Sequence, residues 1–293
     1  MSKQPPAVGI DLGTTFSVVA MLNEAGQPET LVNAEGDRLT PSLVLFDNDQ
    51  VIVGKEALKA LATEAEWVAE CSKRDVGHRV FHKAIGGKQY PPEVIEAFIL
   101  NKLRADTSAR IGDYEKVVIT VPAYFDEVRR KATQDAGYMA GFEVMDIINE
   151  PTAAAVAFGY EKGFLSPEGR THKPEIVLVY DLGGGTFDVT VMEIHGREFR
   201  ALATDGDVRL GGFDWDQRLV DLAAEGFARE HFLDPREDAR AAGKLWRECE
   251  EAKRTLSVRP KTFIPIDFMG RTARVEITRQ QFEEATQDLL DRT

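Results

Sequence analysis

Two stretches of this chain repeat one design: a β-prone run that ends in aspartate, turns through glycine, and enters a second β-prone run. The first reads AVGIDLGTTFSVVAML over residues 7–22 and the second IVLVYDLGGGTFDVTVMEI over residues 176–194. Asp11 and Asp181 hold the same place in each, 181 − 11 = 170 residues apart. A period that long implies two related domains, because solenoid repeats recur every ~20 to 50 residues. Each copy reads as a hairpin.

Between the copies, β and helical patterns alternate, which sets the fold class as α/β. Residues 56–69 and 92–103 carry good helix formers with apolar periodicity, and KVVITVP over 116–122 reads as a buried strand stopped by proline. Residues 126–140 are expected to be helical with Gly141 as the stop, and VMDIIN from Val144 to be a strand leading into Glu150, Pro151 and an alanine-rich helix. Beyond Gly212 come long charged helical runs at 214–232 and 237–256, a β-like stretch at 262–277 and a last helix from Thr278. The polar segment 166–174, with glycine and prolines, is the expected boundary, giving lobes 1–170 and 171–293.

Bulk properties narrow the function. A chain of 293 residues with 43% hydrophobic content builds one large or two modest cores. Forty-nine acidic against 36 basic residues leave a net charge of −13, which repels phosphodiester backbones and anionic lipid heads. Nucleic acid and membranes are therefore excluded as first readings. Cys71 and Cys249 are too few for a disulfide framework and too far apart in sequence for metal-ligand spacing, which points to a reducing compartment. The amino end has no export pattern, and no run reaches the ~20 apolar residues of a membrane span. A soluble, cytoplasmic protein is expected.

The turns themselves carry the chemistry. In GIDLGTT, a strand ending in aspartate and turning through Gly13 can present backbone N–H groups and the hydroxyls of Thr14 and Thr15 to phosphate oxygens. The carboxylate of Asp11 can hold a hydrated magnesium ion. Alone, the segment reads equally as a tight hairpin. DLGGGTFD, over 181–188, adds three consecutive glycines inside a strong strand–turn–strand, a costly choice unless something approaches the backbone closely. A phosphate is the natural candidate. Two such turns facing each other would grip a polyphosphate from both sides, with two carboxylates around one metal ion.

GIDLGTTFS, KR at Lys73 and Arg74, VPAYF at 121–125, INEPTAAAVAFG at 148–159, DLGGGTFDV at 181–189, GGFDWD at 211–216 and CEEAKRTLS at 249–257 occur in order. Together they resemble the ATPase domain of the seventy-kilodalton heat-shock (DnaK-type) chaperones, within the actin and sugar-kinase superfamily. The resemblance implies a duplicated actin-like, ribonuclease H-like fold with two lobes around a nucleotide cleft. It implies that Gly13, Thr14, Thr15 and Phe16 form one phosphate loop and Gly183, Gly184, Gly185 and Thr186 the other. Asp11 and Asp181 match magnesium-shell carboxylates, Glu150 a carboxylate near metal and water, and Asp188 a position that helps bind a monovalent cation such as K+. Lys73 matches a lysine that orients the attacking water; on composition alone it reads as a surface lysine. Gly212 joins the nucleotide contacts, and Glu250, Lys253, Arg254 and Ser257 match purine and ribose contacts. Their spacing, i, i+3, i+4, i+7, puts all four on one helical face, which a solvated charged face would also show. Pro122 and Arg130 match positions that relay the nucleotide state to a peptide-binding domain.

The resemblance further implies slow hydrolysis of ATP to ADP as a conformational switch, since no strong fixed general base is among these residues. Partners implied are a J-domain co-chaperone and a nucleotide exchange factor. Family members continue past the position of Thr293 with a segment that completes the adenine site, then a linker and the peptide-binding domain, none of which this sequence contains. An exposed apolar edge is expected in the second lobe. Residues 79–90, RVFHKAIGGKQY, run straight toward the helix at Pro92, so the upper first lobe is expected to be short and to lack a small extra sheet. Phe213 stands where the family commonly has an acid, so a cross-cleft contact is expected to be missing. The competing readings are a nucleotide-binding scaffold without turnover, an actin-like filament former and a sugar kinase; for the last, no segment supplies the acidic base or the sugar pocket.

Overall fold

A computed structural model describes residues 7–164 and 174–293 of the chain. The expected boundary at 166–174 lies, but for Pro174, outside the described residues. The first sheet begins with the hairpin β1 (Val8–Leu12) and β2 (Phe16–Leu22), followed by β3 (Pro28–Thr30) and the short β4 (Thr40–Pro41), both paired to β2. Strands β5 (Val44–Asp47), β6 (Gln50–Val53) and β7 (Val68–Ala69) form a separate small sheet in the order β6-β5-β7, beside helix α1 (Lys55–Ala60). Helix α2 (Pro92–Ile111), strand β8 (Lys116–Val121), helix α3 (Glu127–Met139), strand β9 (Glu143–Asn149) and helix α4 (Glu150–Glu161) follow. β8 lies parallel to β1 and β9 parallel to β8, giving the order β3-β2-β1-β8-β9.

The alternation in β1 explains its position. Val8, Ile10 and Leu12 are 1–2% exposed and point into the core with Ile95, Ile99, Leu100 and Leu103 of α2, while Asp11 faces out. Burying residues of that size is worth about 1.5–3 kcal/mol each, so the register of this strand is strongly fixed.

The second copy builds a three-stranded antiparallel sheet, β10 (Glu175–Leu182), β11 (Phe187–His195) and β12 (Glu198–Asp207). Helices α5 (Gly212–His231) and α6 (Ala239–Leu256), the hairpin β13 (Lys261–Phe268) and β14 (Arg271–Thr278), and helix α7 (Arg279–Leu290) complete the described chain. Leu219, Ala223 and Phe227 of α5 meet Leu245, Cys249 and Leu256 of α6 over Ile264, Ile266 and Ile277, forming a second core.

The two hairpins share a register. In the first hairpin Asp11 pairs with Val18, and in the second Asp181 pairs with Asp188. Both members are offset by 170 residues (181 − 11 and 188 − 18), so the two turns have the same length. The exposed apolar residues of this sheet lie on one face of β10, where Ile176, Leu178, Tyr180 and Leu182 are 38–64% exposed, rather than along a strand edge.

Several expectations are corrected. The helix expected at 56–69 stops at Ala60, because Val68 and Ala69 are drawn into the small sheet opposite Leu45 and Val44, and that pairing outweighs helix propensity. The helix at 92–103 runs on to Ile111, since Asp106 and Thr107 remain buried beyond Leu103 and Thr107 Oγ1 meets Tyr114 Oη at 2.7 Å. A small extra sheet is present, but it is drawn from residues 44–69; the segment 79–90 contributes only an isolated bridge from Ile85 to Lys88. No helix among the described residues is long and apolar enough to cross a membrane. Both cysteines are free thiols, and burial pushes the pKa of each upward.

Candidate functional site

The two glycine turns meet. A Cβ added at Gly184 would stand 1.8 Å from Thr15 Oγ1, and one at Gly185 would stand 2.4 Å from Thr14 Cγ2. A Cβ at Gly211 would lie 2.5 Å from Gly185 N and 2.7 Å from Gly184 C. What approaches these glycines is therefore the chain itself: Thr14 and Thr15 from the first turn and the start of α5 from the other side. None of Gly13, Gly183, Gly184 or Gly185 has a positive φ, so crowding and not left-handed backbone selects glycine here. Gly13 is crowded from within its own turn, where a Cβ would meet Phe16 O at 2.2 Å. Gly183 is the least constrained of the set, with its nearest neighbour, Thr186 O, at 3.4 Å.

Hydrogen bonds bind the second turn to α5. Gly183 N donates to Thr186 O at 3.0 Å, Gly212 N to Gly183 O at 2.9 Å and Phe213 N to Gly184 O at 2.8 Å. Arg74 reaches across from the first half, donating through Nε to Gly185 O at 2.8 Å and pairing with Asp214, whose Oδ2 also accepts from Gly211 N. The same guanidinium lies 5.1 Å from the centre of the Phe213 ring, a cation–π arrangement. Phe213 offers Arg74 a ring in place of the carboxylate expected there, and the neighbouring Asp214 makes a cross-cleft ion pair of its own.

Beside the turns lies an acidic cluster with one ammonium. Lys73 sits in a short 3-10 turn, Ser72–Asp75, that follows a left-handed Cys71. Its Nζ donates to Glu150 Oε1 at 2.5 Å, with side-chain exposures of 5% and 13%. It is a buried partner of a carboxylate and not a surface lysine. Burial pulls the Lys73 pKa down, but the charges of Glu150 and Asp11 outweigh it and the net shift is upward. Glu150 is also raised, because burial and the charges of Asp11 and Asp181 outweigh its bond to Lys73. Asp11 accepts from Thr120 Oγ1 of β8 at 2.7 Å. Asp181 is raised by burial and by Asp11, against the pull of Lys73. Asp188, 2% exposed and opposite Asp181 on the neighbouring strand, accepts from Tyr124 N and is pushed up to about 7, first by burial and then by Glu150. Like charges on facing strand positions oppose each other. Arg130 bonds Asn149 and Phe125 O, fixing the residue that precedes Glu150.

Four carboxylates around a single ammonium are short of positive charge, and hard oxygen donors suit magnesium. Among the described residues no group of three His, Cys, Asp or Glu is arranged to chelate a metal ion directly.

Adjoining the turns is a cavity of about 360 Å³. Thr14, Thr15, Phe16, Gly184 and Gly212 line one part, and Glu250, Lys253 and Arg254 of α6 another. Lys253 Nζ donates to Gly212 O at 2.9 Å and to Asp216 Oδ2 at 2.7 Å, and Arg254 pairs with Glu250 at 2.6 Å. Burial pushes Asp216 up to about 6 despite the Lys253 ammonium. Ser257 does not line this cavity; it is exposed and its Oγ bonds back to Lys253 O at 3.4 Å. Thr186 lies buried in the second turn.

Sequence reasoning missed several neighbours. Thr120 and Asp216 had a signal, a polar residue inside KVVITVP and a second acid in GGFDWD. Glu96 had little: it sits on the buried face of α2, accepts from Ser72 Oγ at 2.7 Å and leaves Oε2 without a partner. Only the fold brings it next to the Lys73 turn.

Glycine turns in contact, a carboxylate cluster short of positive charge and a cavity between the halves define the class, an α/β protein with a polar cleft. The particular family follows from comparison with known proteins. A family model described as Hsp70 protein matches residues 7–293, and the chain belongs to that family. It is 43% identical over 293 residues to the chaperone protein DnaK of Halobacterium salinarum, covering 98% of this chain and 45% of the relative. The corresponding DnaK of Thermotoga petrophila is 44% identical over 300 residues, covering 99% and 49%. That of Thermosipho africanus is 43% identical, covering 100% and 49%. The chain spans about half the length of the curated relatives it matches.

Proposed function

We propose that the chain is the nucleotide-binding ATPase part of a DnaK-type chaperone, with a duplicated actin-like fold in two lobes, 1–170 and 171–293, around one cleft. The polyphosphate of ATP or ADP lies between the Gly13–Phe16 and Gly183–Thr186 turns. The observation that carries this reading is their contact: Gly184 and Gly185 abut Thr15 and Thr14 beside the buried Lys73–Glu150 pair. Glu250, Lys253 and Arg254 take the nucleoside, while Ser257 lies outside the lined cavity.

Magnesium, held through water by Asp11, Asp181 and Glu150, would neutralise phosphate charge, and a monovalent cation would sit at Asp188. The rest is positioning. Lys73 offers an ammonium, kept protonated by Glu150 and Asp11, beside the turns where γ-phosphate charge develops. Thr14, Thr15 and Thr186 orient phosphate oxygens. Glu150 is already engaged with Lys73 and so is not a free, fixed general base for water, which supports slow hydrolysis. Loss of the γ-phosphate would loosen the hold between the turns, and Arg130, tied to Asn149 beside Glu150, supplies a route outward. A J-domain co-chaperone, an exchange factor and a cytoplasmic location belong to the same proposal.

Single-turnover hydrolysis of labelled ATP with magnesium tests it. The unaltered chain should release product slowly, and Lys73→Ala should nearly abolish release while retaining ATP. Tight binding with equally negligible turnover in both would favour the scaffold reading instead.

A further inference from the structure

Each side chain of the 3-10 turn Ser72–Asp75 is tied to a different part of the fold. Ser72 Oγ donates to Glu96 Oε1 of α2 at 2.7 Å, and Lys73 Nζ donates to Glu150 of α4. Arg74 reaches Gly185 O and Asp214, and Asp75 Oδ2 accepts from His82 N at 3.0 Å. The residue that leads into the turn, Cys71, has a φ of 56°. Only glycine takes left-handed backbone freely, so another residue stays there when its surroundings over-determine it. The four anchors do so.

Ser72 and Glu96 form the most deeply buried anchor, at 2% and 1% exposure. A carboxyl is a costly way to hold a serine there. Its second oxygen, Oε2, finds no partner among the described residues, and burial pushes the group up to about 7 against the Ser72 bond and the Lys73 charge. An apolar side chain facing an alanine would fill the same space without stranding a polar atom. Costs of this kind collect where a neighbouring group must be placed accurately. The neighbour here is Lys73. Burial lowers the Lys73 pKa, and Glu96 joins Glu150 and Asp11 among the charges that raise it. Glu96 therefore acts on Lys73 twice, through the backbone that Ser72 anchors and through its own charge.

We propose that Glu96 is a positioning residue: by gripping Ser72 it fixes the 72–75 turn, and with it the place where Lys73 holds its ammonium. The role rests on the nucleotide reading above and deepens it by naming what aims the lysine. Glu96 does not line the cavity beside the phosphate turns, so its loss should appear in the rate of hydrolysis and not in nucleotide affinity. A misplacement of about 1 Å can slow a reaction about a hundredfold.

Single-turnover hydrolysis and equilibrium binding of ATP with magnesium, on variants shown to be folded by urea unfolding, test the proposal. Ser72→Ala and Glu96→Leu should each hydrolyse about tenfold to hundredfold more slowly than the unaltered chain, with ATP affinity within about twofold. The double variant should be no slower than the slower single one, since both remove the same bond. Glu96→Gln, whose amide oxygen still accepts from Ser72, should restore most of the rate. The nitrogen resonance of the Lys73 ammonium in isotope-labelled protein, assigned by its loss in Lys73→Met, reads the placement without nucleotide. It should move in Ser72→Ala and Glu96→Leu and return in Glu96→Gln. The proposal is overturned if that resonance stays in place, if Ser72→Ala turns over like the unaltered chain, if rate and affinity fall together, or if Glu96→Gln is as slow as Glu96→Leu. Should the resonance respond as expected while the unaltered chain neither binds nor hydrolyses ATP, the grip on Lys73 stands and the nucleotide reading falls.

Discussion

Removing the Lys73 ammonium should make the folded chain markedly less stable at alkaline pH and partly rescue it with acid. Lys73→Met keeps the length of the side chain but leaves Glu150, Asp11, Asp181 and Asp188 with no cation among them. The pair is nearly shut off from water, at 5% and 13% side-chain exposure and 2.5 Å separation. Unit charges about 4 Å apart at an effective dielectric near 20 attract by roughly 4 kcal/mol. Breaking one side of a buried pair is typically worth about 3–5 kcal/mol, because the other charge is stranded. The sign with pH comes from Glu150. Its folded pKa already lies above the unfolded value and rises further without Lys73, so the native state then binds more protons than the unfolded one. Stability therefore increases as pH falls through the folded pKa. Urea unfolding should show a loss of about 3–5 kcal/mol at pH 8, shrinking toward pH 5. Lys73→Met/Glu150→Gln should recover to within about 1 kcal/mol, since no charge is left stranded. A single-variant loss below about 1 kcal/mol at pH 8, or one flat with pH, would refute the reasoning.

Two further outcomes are expected in the same neighbourhood. Glu96 is pushed up to about 7 by burial against its bond to Ser72 and the Lys73 charge, so its ionised form burdens the native state above that pH. Glu96→Gln should raise stability by about 3 kcal/mol at pH 8 and by less than about 1 kcal/mol at pH 5, read by urea unfolding at the two pH values. At Gly211, an added Cβ meets backbone of Gly184 and Gly185 at 2.5–2.7 Å, where no side chain can yield. Gly211→Ala should cost about 1–3 kcal/mol in thermal or urea unfolding, whereas Gly9→Ala should be near neutral. For Gly9 the nearest atom is 3.7 Å away, so equal effects at the two sites would show that the turns are not packed as described.

Much of this was legible because it depends on local pattern. The repeated strand–Asp–Gly–strand design fixed both hairpins, and their common offset of 170 residues survives in the pairing of Asp11 with Val18 and Asp181 with Asp188. Glu250, Lys253 and Arg254 share one helix, so spacing sufficed to place them together. What stayed hidden depends on contacts distant in sequence. The triple glycine announced a close approach, but the sequence could not say that Thr14 and Thr15 make it. Val68 and Ala69 read as helix until Val44 and Leu45 offered a strand to pair with. Arg74 looked like half of a KR motif, and only the fold sets it across the cleft on Asp214, Gly185 O and Phe213.

The most direct measurement is a crystal structure of the chain grown with magnesium and ADP, in which the phosphorus atoms are located. They should lie between the backbone of residues 13–16 and that of residues 183–186, within hydrogen-bonding reach of both. Phosphates bound to one turn alone, or resting elsewhere on the molecule, would contradict the idea that the two halves hold one nucleotide tail between them.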